Sequence, residues 1–215
     1  MKYLIKNIIF IIILTSCGNY ENHFKLPILG RSKIIERIEN GVKLYDTIPH
    51  QISDFSFINQ DSTPVTNQTF KDKIYIADFF FTSCPTICPT MKAQMLRVYE
   101  AYKENPAVMF LSHTIDPLHD TVAVLKDYAG KLDVPSNKWH FVTGDQDEIY
   151  QLGEKSYMSV MAEDDNAPGG FIHSGALLLV DKKRHIRSFV DGTEPEQVDL
   201  LIKDIGRLLD EYEKE

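Results

Sequence analysis

Apolar and polar positions between residues 51 and 215 alternate between two periods. Phe55–Ile58 and Pro64–Thr66 flank the polar cluster Asn59-Gln60-Asp61-Ser62, which predicts a β-hairpin. Lys73–Phe81 (KIYIADFFF) is β-branched and aromatic and reads as a buried strand ending at Thr82-Ser83. Met91, Met95, Val98, Tyr99 and Tyr102 then share one helical face, and Asn105-Pro106 stops that helix. Val108–Ile115 is a second strand. Asp120–Leu132 is a helix with Val122, Leu125 and Tyr128/Ala129 inward, and Trp139–Thr143 is a third strand. Asp145–Tyr157 is a helix whose acidic start (Asp145, Asp147, Glu148) suits the positive end of its dipole. Gly175–Asp181 and Ile186–Val190 form a strand pair around Lys182-Lys183-Arg184. Thr193-Glu194-Pro195-Glu196 reads as a capping box with proline in the first turn. The helix it opens runs to about Tyr212, with Val198, Leu201, Ile202, Ile205, Leu208 and Leu209 on one face.

This order is a hairpin, then β-α-β-α-β-α, then a β-β pair and a last helix. It predicts one α/β domain of the thioredoxin type with an N-terminal β-hairpin addition. No repeat, low-complexity tract or Gly/Ser linker interrupts residues 51–215.

The first 50 residues follow other rules. Lys2 and Lys6 precede an unbroken apolar run, Ile8–Leu14. It is too short for a membrane-spanning helix of about 20 residues, so residues 1–16 read as a signal peptide. Leu14-Thr15-Ser16-Cys17 resembles a bacterial lipobox, which implies that Cys17 is lipidated and becomes the mature N-terminus. Residues 17–50 show no clear period and read as a tether. The domain is then 51–215, outside the cytoplasm on a membrane surface, where thiols need a reason to stay reduced.

Composition narrows the function. With 43% hydrophobic and 25% charged residues, the chain is globular. The net charge of -8 excludes nucleic-acid binding through a basic surface. Losing residues 1–16 removes two lysines and takes the charge to -8 - 2 = -10. Three cysteines are too few for a disulfide framework. Beyond Cys17 there remain Cys84 and Cys88, in Cys84-Pro85-Thr86-Ile87-Cys88 at a predicted strand-to-helix turn, with Pro89 at the helix start. Unsatisfied N–H groups there favour a thiolate. A disulfide closing so short a loop adds little stability, so a structural bridge is the weaker reading. Two thiolates select Cu(I), zinc or an iron–sulfur cluster, and two cysteines are few for a cluster.

A nitrogen ligand is wanted, and the candidates are His50, His113, His119, His140, His173 and His185. His173 stands out. It lies in the Gly-rich stretch Pro168–Gly175 before the GALLLVD strand, a loop that faces the first helix's N-terminus in a thioredoxin-type fold. Asp116 and Asp120 read as loop or helix-cap residues, with Asp120 placed to cap the next helix. Met91 and Met95 read as core.

Asp78–Met91 (DFFFTSCPTICPTM) resembles the signature of the Sco/SenC family. So do Thr114–Thr121 (TIDPLHDT), Trp139–Gly144 (WHFVTG), and Ile172-His173-Ser174 followed by Leu178–Asp181. The resemblance spans about residues 50–210. It implies a thioredoxin-like, membrane-tethered, extracytoplasmic protein that binds one copper through Cys84, Cys88 and His173. It further implies delivery of copper to, or preparation of the cysteines of, the copper A site in the copper-bearing subunit of cytochrome c oxidase, with copper taken from an unspecified donor. Three features depart from the family. Thr86 stands where an acidic residue is frequent, His119 stands where an arginine is frequent, and a lipid replaces the usual transmembrane tether. Two other readings use the same residues. One is a thiol-disulfide reductase in which Cys84, the more exposed cysteine, attacks and Cys88 resolves. The other is a copper- or redox-sensing module.

Overall fold

The computed structural model describes residues 25–214. The signal segment and Cys17 lie outside these residues. Among the described residues, no helix is long and apolar enough to cross a membrane.

The strands are β1 (Lys33–Glu39), β2 (Val42–Ile48), β3 (Ser56–Asn59), β4 (Pro64–Thr66), β5 (Ile74–Phe80), β6 (Val108–Thr114), β7 (Trp139–Thr143), β8 (Met161–Glu163), β9 (Phe171–His173), β10 (Ala176–Val180) and β11 (Ile186–Asp191). The helices are α1 (Ile87–Tyr102), α2 (Val122–Lys131), α3 (Gln146–Lys155) and α4 (Pro195–Glu213). One seven-stranded sheet carries the body in the order β11-β10-β5-β6-β7-β3-β4. Its centre, β5-β6-β7, is parallel, and every residue of β5 and β6 is buried. That is why these runs are apolar without alternation: helices cover both of their faces.

The side chains of β5 sort by face. Asp78 and Phe80 meet Lys92 of α1 and Tyr128 of α2. Phe79 meets His113, Tyr157 and the side where Gly153 of α3 packs. The predicted hairpin is β3–β4, and the closing pair is β10–β11, with α4 packed on β11. Val198, Leu201, Ile205 and Leu208 are the face α4 buries.

Two helix starts differ from expectation. No capping box opens α4: its N-cap is Glu194, which makes no side-chain cap bond. Thr193 instead donates its N–H (2.8 Å) and hydroxyl (2.7 Å) to the Asp191 carboxylate, so the turn before the helix takes the hydroxyl. Asp120 does not cap α2 either. Thr121 does, accepting from the Val124 N–H, while Asp120 turns inward and is fully buried.

From residue 25 onward, the stretch expected to be a tether is also structured. Residues 26–29 are fixed to the body. Leu29 bridges to Ile186, and the Arg187 guanidinium donates to the carbonyls of Leu26 (2.5 Å) and Pro27 (3.1 Å) while pairing with Glu211 and Asp181. Gly30 then passes so close to the His50 ring that a Cβ would lie 2.5 Å from it. Between these points β1 and β2 form a separate antiparallel ribbon, turned by Asn40-Gly41, both at positive φ. Asn-Gly is the dipeptide a two-residue hairpin turn demands.

Candidate metal centre

The thiols sit where the sheet's best-buried strand ends. Phe81 to Ser83 lead out of β5, and Cys84 opens the loop with its N–H bonded to the Phe81 carbonyl (3.3 Å). The loop turns directly into α1. Pro89 fits in that helix's first turn, where its missing N–H has no partner to lose. Asp120 locks the loop from the side. It accepts from the Thr82 N–H (3.0 Å), the Thr82 hydroxyl (2.5 Å), the Thr114 hydroxyl (2.6 Å) and His119 Nδ1 (3.0 Å). The end of β6 and the root of the thiol loop are thus tied to one buried carboxylate.

His173 arrives on a different support. It ends β9, which among the described residues pairs only with β8, through Met161↔His173, Ala162↔Ile172 and Glu163↔Phe171. The Phe81 ring holds this arm from below, 5.1 Å from the Phe171 ring and edge-on to His173 at 5.8 Å. Gly169, at φ +85°, packs so tightly that a Cβ there would lie 2.8 Å from Phe81 and 3.1 Å from Pro85.

The two supports converge. The ligand atoms of Cys84, Cys88 and His173 all lie within 4.8 Å of one another, and all three residues are buried. The Ser174 carbonyl, 3.1 Å from His173 Nδ1, can only accept, so Nδ1 carries the proton. The lone pair of Nε2 therefore points at Cys88 Sγ, 3.1 Å away. Burial lowers the His173 pKa, which keeps the imidazole neutral, the form a metal needs. Burial also raises the Cys88 thiol well above its ordinary value, helped by its hydrogen bond to Cys84 and opposed by the Lys92 charge. For Cys84 burial again pushes upward. It is outweighed by the Cys88 thiol, the Thr86 and Cys88 backbone groups and the Thr86 hydroxyl, and the net shift is downward. The Cys88 proton thus has two acceptors, Cys84 Sγ and His173 Nε2. Two sulfurs and an imidazole lone pair gathered within 4.8 Å suit a small soft cation that displaces the thiol protons.

Behind the thiols lies a buried charged cluster that the hydrophobic pattern conceals. Lys92, one turn beyond Cys88, bonds Asp78 (3.0 Å) and Ser112 (3.4 Å) among the rings of Phe80, Trp139 and Phe141. Ser112 donates to Asp78 and accepts from Trp139 Nε1 at 2.9 Å. Its one positive charge lies on the thiol side of the sheet.

Of the residues singled out by sequence, Cys84, Cys88 and His173 come together. Their exposures are 8%, 4% and 8%: Cys84 is the more exposed of the two thiols, as expected, although both are buried, and the two also differ in hydrogen bonding. His113 and His140 are buried on the opposite sheet face, His50 bonds the Ser156 carbonyl, and His185 lies beside Asp181. His119 is exposed and points to Asp120. Thr86 is the N-cap residue of α1, with its hydroxyl 3.6 Å from Cys84 Sγ. Met91 and Met95 are core residues.

A parallel-centred sheet whose first buried strand delivers two thiols to a helix start, faced by an imidazole, defines a thioredoxin-like protein with a dithiol–imidazole centre. The SCO1/SenC family profile matches residues 46–210, and the chain belongs to that family. A SCO1 protein homolog of Bacillus subtilis (strain 168) is 30% identical over 167 residues, 77% of this chain and 86% of the relative. The crystal structure of a SCO1/SenC family lipoprotein from Bacillus anthracis superposes with a TM-score of 0.69 at 29% identity, covering 74% of this chain and 95% of that one. BsSco, described as having a disulfide switch and as a member of the Sco family of cytochrome c oxidase assembly proteins, gives 0.65 at 30% identity, with 74% and 93% covered. ScoI of Arabidopsis thaliana with copper bound gives 0.61 at 25% identity, with 72% and 98% covered.

Proposed function

We propose that this protein is a copper chaperone that binds one copper through Cys84, Cys88 and His173 and serves assembly of the copper A site in cytochrome c oxidase. The observation that carries the reading is the convergence of two thiols and a neutral imidazole within 4.8 Å. Thiolate sulfur is the donor that favours Cu(I), and one nitrogen completes a low-coordinate set. Copper-bound and oxidase-assembly relatives support the same reading. The chain's own groups prepare the site. Ser174 fixes the imidazole tautomer, the Thr86 hydroxyl and backbone N–H groups hold Cys84 toward its thiolate, and Lys92 eases ionisation of Cys88. Bound copper would protect the two thiols from oxidation and pass to a partner's thiolates by ligand exchange. In this reading Cys17 carries a lipid that holds the domain at the outer side of the membrane, within reach of the oxidase.

The test is an anaerobic Cu(I) titration of residues 18–215 with reduced thiols. One copper per chain is expected, lost in Cys84→Ala and Cys88→Ala and weakened in His173→Ala. Unchanged affinity in His173→Ala overturns the ligand set.

The opposed shifts of Cys84 and Cys88 favour a second reading, thiol-disulfide exchange on the oxidase cysteines. Cys84 would attack a partner disulfide and Cys88 would displace the partner, leaving the Cys84–Cys88 disulfide and a reduced partner. Reduction of a model disulfide by a protein that takes up no copper would select it.

A further inference from the structure

The ribbon β1–β2 stands apart from the sheet. Among the described residues it is anchored only at its two ends, near Leu29 and His50, and its strands pair only with each other. No residue on either face is buried, and Ile34 (71% exposed), Ile38 (69%) and Tyr45 (64%) share one face. A lone two-stranded ribbon is marginal in water and three or more strands are needed for independent stability. Its free edges are also templates for another strand.

We propose that the ribbon is a dimerisation device in which β1 pairs antiparallel with β1 of a second copy, about a two-fold axis at Glu36. The register follows from the sequence of β1 alone. With Glu36 on the axis, Lys33 faces Glu39 of the copy and Ile34 faces Ile38 of the copy. Ile35 lies across from Arg37, whose aliphatic stem covers it. Opposite charges and matched β-branched side chains are the pairs that stabilise a sheet. Glu36 meets its own copy at the axis, and each carboxylate already holds Lys43 at 2.9 Å. The result is a four-stranded sheet with Ile34 and Ile38 of both chains in one central cluster, flanked by two Tyr45 rings. The β2 edge is the poorer choice. A two-fold at Tyr45 sets Leu44 against Asp46 and leaves Lys43 opposite Thr47. The ribbon carries three basic and three acidic side chains, so it suits its own copy better than an anionic membrane surface. This inference is independent of the copper reading.

Cross-linking tests it in the full chain, in membranes of the expressing cell, on a Cys84→Ser/Cys88→Ser background. Directly opposite antiparallel residues have Cα atoms about 4.5–5.5 Å apart, within disulfide reach. Mild oxidation of Glu36→Cys should double the apparent mass on a non-reducing gel, reversibly. Tyr45→Cys, at the centre of the other edge, should remain at monomer mass. Adding Ile34→Asp and Ile38→Asp to Glu36→Cys should abolish the doubled band while the body stays protease-resistant. The proposal is overturned if Glu36→Cys stays monomeric, if Tyr45→Cys links equally well, or if the aspartates leave the band intact. It is equally overturned if the Glu36→Cys thiol, without dimer, is shielded from a water-soluble maleimide in membranes and exposed in detergent. That outcome assigns the ribbon to lipid.

Discussion

The two halves of the metal centre are built to different standards. The thiol half leaves a strand with no exposed residue, enters a 16-residue helix and is locked by a buried carboxylate with four hydrogen-bonded partners. The imidazole half hangs on a three-residue strand whose ladder is another three-residue strand, both partly exposed. Two side chains of one helix-bounded loop stay together whatever else moves. The His173 imidazole is 85 residues away from Cys88 and depends on the packing of Phe171 and Gly169 on Phe81 and Pro85. Under the proposed copper reading this difference predicts a division of labour: the thiols would retain the metal, and the arm would be the part with the freedom to yield when a partner's thiolates arrive.

The contrast can be broken hardest from the thiol side. Asp120→Ala removes the acceptor of the buried Thr114 hydroxyl and of the partly buried Thr82 N–H and hydroxyl, each at about 1–3 kcal/mol. A loss of at least about 3 kcal/mol is expected in denaturant unfolding, together with loss of copper binding.

Acid attacks the face on which the arm rests. Burial pushes His113 and His140 down to about 4, and His113 has no hydrogen-bond partner for either nitrogen among the rings of Phe55, Phe57, Phe79 and Tyr157. As pH falls below the unfolded value of about 6.5, the unfolded chain takes up protons that the native state refuses. Stability is therefore full above pH 6.5, declines toward pH 4 and levels off below it, by roughly 3 kcal/mol for each imidazole. Unfolding free energies measured across that window should show the decline, and His113→Phe should remove about half of it.

The smallest expected effect separates the arm from the thiol loop. Gly169→Ala places a side chain at φ +85° and against the Phe81 ring, at about 1–2 kcal/mol. The arm should shift while the thiol loop holds, so copper stoichiometry should remain one per chain and copper release to a thiol competitor should quicken in stopped flow.

What could be read from the chain follows the same division. The thiol loop was legible because KIYIADFFF and the Met91–Tyr102 face are long enough to show a period. β8 and β9 are not: three residues have no period, so His173 reads as part of a loop. The ribbon was legible in principle, since Asn40-Gly41 sits between alternating runs, but its surroundings look polar and aperiodic. Asp120 beside Thr121 offers two plausible caps, and only the fold decides that the threonine caps while the aspartate turns inward. Lys92 lies on the apolar face of α1 yet is charged, and nothing local announces Asp78 as its partner. Long-range pairing hides from the linear pattern in each of these cases.

Under the proposed copper reading, the weakly supported arm supplies the imidazole ligand. X-ray absorption at the copper edge of the Cu(I)-loaded protein tests it most directly. The expected spectrum contains two sulfur ligands and one imidazole, with the imidazole scattering lost in His173→Ala while both sulfurs remain. A wild-type spectrum of sulfur ligands alone, or an imidazole signal that survives His173→Ala, rules out His173 as the nitrogen ligand.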